Sequence, residues 1–308
     1  MPEVIEVREY TDFCNKYIKN KELLNIKILN GRYKKHGPFN GFKQLLKTLP
    51  LKIVKIENKG KFMYIQLNKE DPIYIGITLG LTGGWFFNPK GLKEKYIHGL
   101  NRSRYIDSDI EKYQISALKH LNVEFVFDHG SLYFYDQLSF GTISIFDNTE
   151  LLEKKLKIIG LDIMDVNTSF DMFQNALLHK TNLNKEIGNA LMNQKYISGI
   201  GNYLRADALW LSKINPFIKV KSLSTTQLKK IYHNVRLLIW GQYNKKAGIK
   251  YGIIKKSDKL PIDYNRNFFV YQQDTDIYGK QVFKEKLYEG SQIRYIFYTK
   301  IWNLFGLL

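Results

Sequence analysis

Gln194-Lys195-Tyr196-Ile197-Ser198-Gly199-Ile200-Gly201-Asn202-Tyr203-Leu204-Arg205-Ala206-Asp207-Ala208-Leu209 is the stretch on which the fold turns. Before it, Ile187, Ala190 and Leu191 line one face of a helix, and after it an apolar helix runs from Asn202 to about Lys213, stopped by Pro216. Gly199-Ile200-Gly201-Asn202 therefore sits at a helix start, where unpaired backbone N–H groups and the helix dipole favour an anion. Two glycines permit positive φ and a close approach of the anion to the backbone. Asn202 caps the helix or turns its amide toward that anion. A plain helix–helix turn with an Asn cap has the same spacing.

Upstream of this block the chain reads as β. Leu24 to Tyr33, Leu51 to Glu57, Lys61 to Leu67 and Ile73 to Leu79 alternate apolar and polar residues or carry β-branched runs. Val123 to Phe127 and Ser131 to Tyr135 flank Asp128-His129-Gly130, a hairpin signal, and the spacing favours an antiparallel sandwich or barrel. Glu6 to Ile18 reads as an amphipathic helix and Lys90 to Arg104 as a basic loop. From about Glu150 helical periodicity takes over, with Thr225 to Tyr243 a further helix. β character returns in Phe268 to Tyr271, Gln281 to Lys286 and Ile293 to Tyr298. The class is α+β in two domains, 1–149 and 150–308, the second carrying a small β appendage at about 265–303.

A chain of 308 residues is long enough for two domains. Its net charge of +18 points to a polyanionic partner, nucleic acid or an anionic membrane surface. Only eight of the 47 basic residues are Arg, and the chain is rich in Lys, Asn, Ile and Tyr, as an AT-rich coding genome writes. Solvated lysine faces account for such a charge as readily as DNA does. Cys14 is the single cysteine, which excludes an intramolecular disulfide and a cysteine-rich zinc site. The N-terminus lacks the basic start and apolar core of a signal peptide, so an intracellular protein is expected. The uncharged stretch Tyr74 to Phe87 holds four glycines and falls short of a membrane span.

The stretch from Gln194 to Leu209, ending at Asn215-Pro216, resembles the helix–two-turns–helix of the formamidopyrimidine-glycosylase/endonuclease VIII family. Asn202-Tyr203-Leu204-Arg205-Ala206 is similar to the eukaryotic and viral Nei-like branch. The resemblance implies an N-terminal antiparallel β-sandwich flanked by helices, then a helical DNA-binding domain with a β-hairpin finger. It places Asn202 and Gly201 on the phosphate beside the lesion. Pro2-Glu3, with Glu6 three residues on, matches the family start Pro-Glu-x-x-Glu. Pro at position 2 is otherwise an ordinary second residue. Removal of Met1 would expose a secondary amine, and an α-amino group titrates near pH 8, so a fraction is nucleophilic at neutral pH. Glu3 alongside is then the proton donor to the ribose ring oxygen.

By the same resemblance Lys61 is the catalytic-site lysine at a hairpin tip, although a strand-edge Lys is common in so Lys-rich a chain. Leu81 stands where relatives carry a Met inserted into the duplex, or is a turn residue. Glu6 belongs to the lesion pocket. Asp136-Gln137-Leu138-Ser139-Phe140-Gly141 aligns with an Arg-Arg-Phe-Gly loop, with Phe140 as wedge and Leu138 in place of the arginine that reads the orphaned base. Arg294 matches the finger's phosphate-binding arginine. The finger's cysteines have no counterparts, Thr299 and Trp302 standing at the second pair, so a zincless hairpin packed by Phe297, Tyr298 and Trp302 is expected, with no metal and no cofactor. The implied protein is a monomer acting on damaged DNA, duplex or single-stranded, without a membrane. It would be nuclear in a eukaryote, otherwise cytoplasmic or in a viral factory. The implied activity is a bifunctional glycosylase and abasic-site lyase of base excision repair, removing oxidised pyrimidines and hydantoins through a Pro2 Schiff base with β,δ-elimination. The alternative is a non-catalytic nucleic-acid binder using the same helical motif, which has no need of Pro2-Glu3 or Lys61.

Overall fold

Residues 2–91, 96–100, 116–264, 267–289 and 292–300 are described by a computed structural model. The chain divides into two compact units, Met1–Pro2 with Glu6–Lys157, and Glu3–Ile5 with Ile158–Leu308. The break lies beyond the expected 149/150 because the helix Thr149–Lys157 is held by the sandwich. Thr149 Oγ1 pairs with Tyr74 Oη, Lys59 Nζ donates to the Leu156 carbonyl, and Lys155 lies over the Phe62 ring.

The first unit holds two five-stranded antiparallel sheets, with alternating burial along Phe62–Leu67, Leu121–Phe127 and Gly130–Tyr135. One runs in the order Glu22–Leu23, Leu51–Lys59, Phe62–Leu67, Ile73–Thr78, Thr142–Phe146. The other runs Asn25–Ile28, Leu121–Phe127, Gly130–Tyr135, Gly84–Pro89, Ile97–His98. Ile53, Met63, Ile65 and Ile75 of one sheet share a core with Trp85, Phe125 and Phe134 of the other, which makes a sandwich. The helix Val4–Ile18 adds Val7, Tyr10, Phe13, Cys14 and Ile18 to that core.

The second unit holds helices Phe170–Leu177, Ile187–Ala190, Asn202–Ser212 and Thr225–Lys250, and the hairpin Val282–Glu289 with Gln292–Thr299. Ser224 and Gln227 form a capping box that starts the long helix. It continues past the expected end at Tyr243 through non-helical backbone at Asn244. The hairpin buries Leu287 and Ile296 in the helical core.

Three expectations are corrected and two strands are added. The strand from Leu24 to Tyr33 stops at Ile28, and Gly31–His36 is a helix entered through Gly31 at φ +69°. Phe268 to Tyr271 is no strand, because three of its N–H groups turn toward one carboxylate, Asp207. Ile97–His98 within the expected basic loop pairs with Phe86 and Phe87. Strands Gly84–Pro89 and Thr142–Phe146 were not foreseen. Trp302 and parts of the expected loop lie outside the described residues.

Candidate active site and nucleic-acid interface

The helix Asn202–Ser212 begins with N–H groups that need an acceptor, and the chain supplies one from its own second helical unit. Glu3 is buried there. Its Oε2 accepts from Gly201 N–H at 2.6 Å and Leu204 N–H at 3.3 Å, and its Oε1 from Tyr203 N–H at 2.9 Å. The Val4 N–H donates to the Gly199 carbonyl at 3.1 Å, so the start of the chain is pinned to the glycine turn. A Cβ at position 201 would collide with the Glu3 side chain, which explains that glycine. The anion expected at this helix start is therefore the protein's own carboxylate. A phosphate contact through the Gly201 N–H meets a donor already engaged. Only Gly199 takes positive φ, at +104°, while Gly201 is extended at −125°.

Asn202 does not cap the helix; Gly201 occupies the cap position without a side-chain bond. The Asn202 Oδ1 instead accepts from Arg205 Nη2 at 3.2 Å, which leaves the amide nitrogen as the donor end. Arg205 is fully buried and also donates to the Tyr295 carbonyl at 2.6 Å and the Gly188 carbonyl at 3.2 Å. Burial, then the charge of Arg294, lowers its guanidinium to about 10, so it stays charged at neutral pH. One side chain thus ties Asn202 to the hairpin strand that carries Arg294. Sequence reading gave Arg205 no role, although a charged residue on an otherwise apolar helix face is a visible signal. Asp207, two residues on, accepts from Tyr264 Oη at 2.7 Å and from the N–H groups of Phe269, Val270 and Tyr271 at 3.0–3.1 Å. Burial raises its carboxyl to about 6 against the lowering by those bonds.

In the sandwich unit, Pro2 is partly exposed and Glu6 is buried in the first turn of the helix Val4–Ile18. Lys61 follows Gly60, at φ +53°, in the hairpin turn between Leu51–Lys59 and Phe62–Leu67, as expected. Leu81 and Phe140 come from two loops that Asp136 ties together. Its Oδ1 accepts from the Thr82 hydroxyl, its Oδ2 from Gly141 N–H at 2.6 Å, and Thr82 Oγ1 in turn accepts from Leu138 N–H at 3.0 Å. Gly80, at φ +60°, lets the first loop approach, since a Cβ would lie 2.7 Å from Gly141 N. Leu81, Leu138 and Phe140 are exposed on this bracket.

Residues 1–143 match the formamidopyrimidine-DNA glycosylase N-terminal domain, and residues 159–250 match the helix–two-turns–helix domain of the same glycosylase. The chain belongs to the formamidopyrimidine-DNA glycosylase family. It is a DNA-repair enzyme, a DNA glycosylase with abasic-site lyase activity. It is 27% identical to the formamidopyrimidine-DNA glycosylase of Ureaplasma parvum over 248 residues, 80% of each chain. It is 28% identical to that of Mycoplasma genitalium over 244 residues, 78% of this chain and 74% of the relative. A Lactococcus lactis glycosylase bound to DNA containing an oxidised pyrimidine superposes with a TM-score of 0.70 at 19% identity, covering 98% of this chain and 99% of that one. The same bacterium's enzyme bound to abasic-site DNA gives 0.71 at 19% identity, with the same coverage. These structures share the fold. No helix among the described residues is long and apolar enough to cross a membrane.

The finger of this glycosylase does not fit the zinc ion that the family resemblance implies. The chain's one cysteine, Cys14, is buried in the sandwich, and no group of three or more His, Cys, Asp or Glu among the described residues is placed to hold a metal. Thr299, which the resemblance sets at a ligand position, is buried with its hydroxyl unpartnered among the described residues, and a hydroxyl is no thiolate. Packing holds the hairpin instead: Phe297 meets Tyr271 at 5.3 Å, Tyr298 meets Phe217 at 5.3 Å, and Lys284 lies over the Tyr295 ring at 4.5 Å.

Proposed function

We propose that this glycosylase belongs to the Nei-like branch with a zincless finger and removes oxidised pyrimidines and hydantoins from damaged DNA through a Schiff base on Pro2. The observation that carries this reading is the seat of Glu3 on three backbone N–H groups, which fixes the residue that follows the Pro2 amine. A positioned nucleophile with a positioned acid is what the chemistry needs. The damaged nucleotide is flipped from the stack, at a cost of a few kcal/mol that is least for damaged or mispaired bases. The secondary amine attacks C1′, the C1′–N bond breaks and the base leaves with a proton. The proton of the attacking amine passes to the Glu3 carboxylate, the C1′–O4′ bond opens as Glu3 returns that proton to O4′, and the C1′ carbon becomes an iminium on Pro2. Loss of a C2′ proton expels the 3′ phosphate, and a second elimination expels the 5′ phosphate, leaving a nick. Lys61 holds the target phosphate, Asn202 and Arg294 grip its neighbours, Glu6 lines the lesion pocket, and Leu81 and Phe140 fill the void left in the duplex.

Borohydride trapping tests this. With a duplex carrying an oxidised pyrimidine or an abasic site, reduction gives a covalent protein–DNA adduct, and mass spectrometry places it on Pro2. Residues left ahead of Pro2, or Pro2→Gly, largely abolish excision. An adduct on an internal lysine sinks the assignment, and no adduct with retained DNA binding favours a binding-only role.

A further inference from the structure

When a base is flipped, its partner is left with Watson–Crick donors and acceptors facing a gap, and unpaired polar groups in an apolar setting are costly. On that reading the loop that enters the gap presents apolar tips, Leu138 at 47% and Phe140 at 59% exposed, and the one exposed polar side chain beside them, Gln137, is a neutral amide rather than a cation. Beside them lies a cavity of about 560 Å³ lined by Asn30, Gly31, Arg32, Lys35, His36 and the loop residues Leu138 to Phe140. That volume is ample for a nucleobase. Its far wall is the helix Gly31–His36, which brings two cations and an imidazole to the edge of the apolar loop.

The juxtaposition is built. Asn122 accepts from the N–H groups of Leu29 and Asn30 through its carbonyl, at 2.9 and 3.2 Å, and donates from Nδ2 to the Asp136 carbonyl at 3.3 Å. Asp136 in turn holds the loop through Gly141 N–H. Gly31, at φ +69°, packs on the Asn122 side chain, where any larger residue would collide. Helix start and loop thus hang from one buried asparagine. Arg32 Nη1 reaches the Gly141 carbonyl at 3.5 Å, so its guanidinium stands at the loop itself. Tyr33 next to it exchanges hydrogen bonds with Ile143, fixing the helix from the other side.

We propose that Arg32 reads the orphaned base opposite the lesion, from the helix Gly31–His36, in place of the loop position that Leu138 occupies. The assignment rests on the glycosylase reading above. A guanidinium offers parallel N–H donors, and the base whose Watson–Crick edge carries two adjacent acceptors is cytosine, with O2 beside N3. Adenine offers a single acceptor beside a donor, and guanine a single acceptor beside two donors, so both fit worse than cytosine. Leu138 and Phe140 supply the apolar faces between which the base lies.

The test is excision of one hydantoin, whose parent guanine pairs with cytosine, placed opposite each of the four bases and measured as kcat/KM. Wild-type enzyme favours cytosine over adenine by roughly tenfold or more, the discrimination of one good bidentate contact. Arg32→Ala brings the four values within about threefold by lowering the cytosine duplex most. Adding Leu138→Arg to Arg32→Ala returns the donor from the loop side and restores the preference, which a misfolded variant would not show. Equal loss opposite all four bases, which marks a phosphate contact or a brace, overturns the proposal. So does a wild-type enzyme indifferent to the opposing base. No excision from any of the duplexes by wild-type enzyme overturns the glycosylase reading itself, and this assignment with it.

Discussion

A buried carboxylate that accepts three backbone N–H groups tolerates poorly even its closest isostere. In Glu3→Gln one oxygen becomes an NH2 group. Whichever end it occupies, a donor then faces the N–H of Tyr203 or the pair from Gly201 and Leu204. Leaving buried donors unpaired costs about 1–3 kcal/mol. Glu3→Gln is therefore expected to abolish excision and also to lower Tm by a few degrees, read by calorimetry beside the excision assay. An unchanged Tm would refute the three-donor seat, and retained excision would refute the catalytic role. The pairing of Glu3 with the glycine turn was illegible in the sequence. The partners lie 198 residues apart, and no local periodicity encodes a contact at that range. What was legible was each half alone, the Pro-Glu start and the anion-seeking helix terminus. Their mutual satisfaction gives the Gly201 N–H an acceptor from within the chain.

At the scale of elements, long periodic helices and alternating strands were readable and short or doubly buried ones were not. The helix Thr225–Lys250 announced itself up to its kink at Asn244. Gly31–His36 is too short to show a period. Gly84–Pro89 is buried at four consecutive residues, Gly84 to Phe87, so it has no alternation to read. Phe268 to Tyr271 looked like a strand because its aromatics are β formers, but Asp207 gathers its N–H groups into a turn that leads toward the hairpin. The burial that raises the Asp207 carboxyl to about 6 makes this junction sensitive to pH. A carboxyl raised in the folded state binds its proton more tightly there than in the unfolded chain. Its contribution to stability is full below the ordinary value of 3.8 and is lost as pH rises to about 6. Urea unfolding of wild type minus Asp207→Asn, which cannot titrate, should thus decline between about pH 4 and 6 and stay flat above. A difference that is level across that window would show that Asp207 titrates as an ordinary carboxylate.

For the whole molecule, the question is how much of the +18 charge meets DNA. Most of it is Lys, and exposed charges more than about 10 Å from a phosphate are screened at 0.1 M salt. The cations that displace counterions are those placed on phosphates, and each contributes about 0.9 to the slope of log K against log salt. On the proposed reading two kinds of grip act within the helical unit. Arg294 brings a charge, whereas Asn202 brings a neutral amide whose oxygen is held by Arg205. Arg294→Ala is therefore expected to weaken DNA binding most at low salt and to flatten the salt dependence by about one unit of slope. Asn202→Ala should weaken binding by a similar factor at every salt concentration, because no counterion is released on an amide. Fluorescence anisotropy with an abasic-site duplex across a salt series separates the two. The competing account makes Arg294 a partner of a surface carboxylate, worth about 1 kcal/mol or less to the fold. It requires Arg294→Ala to leave both the dissociation constant and the slope at wild-type values. A slope that falls with Asn202→Ala instead would mean that the amide works by positioning a cation, and Arg205, buried against it and charged, is within reach.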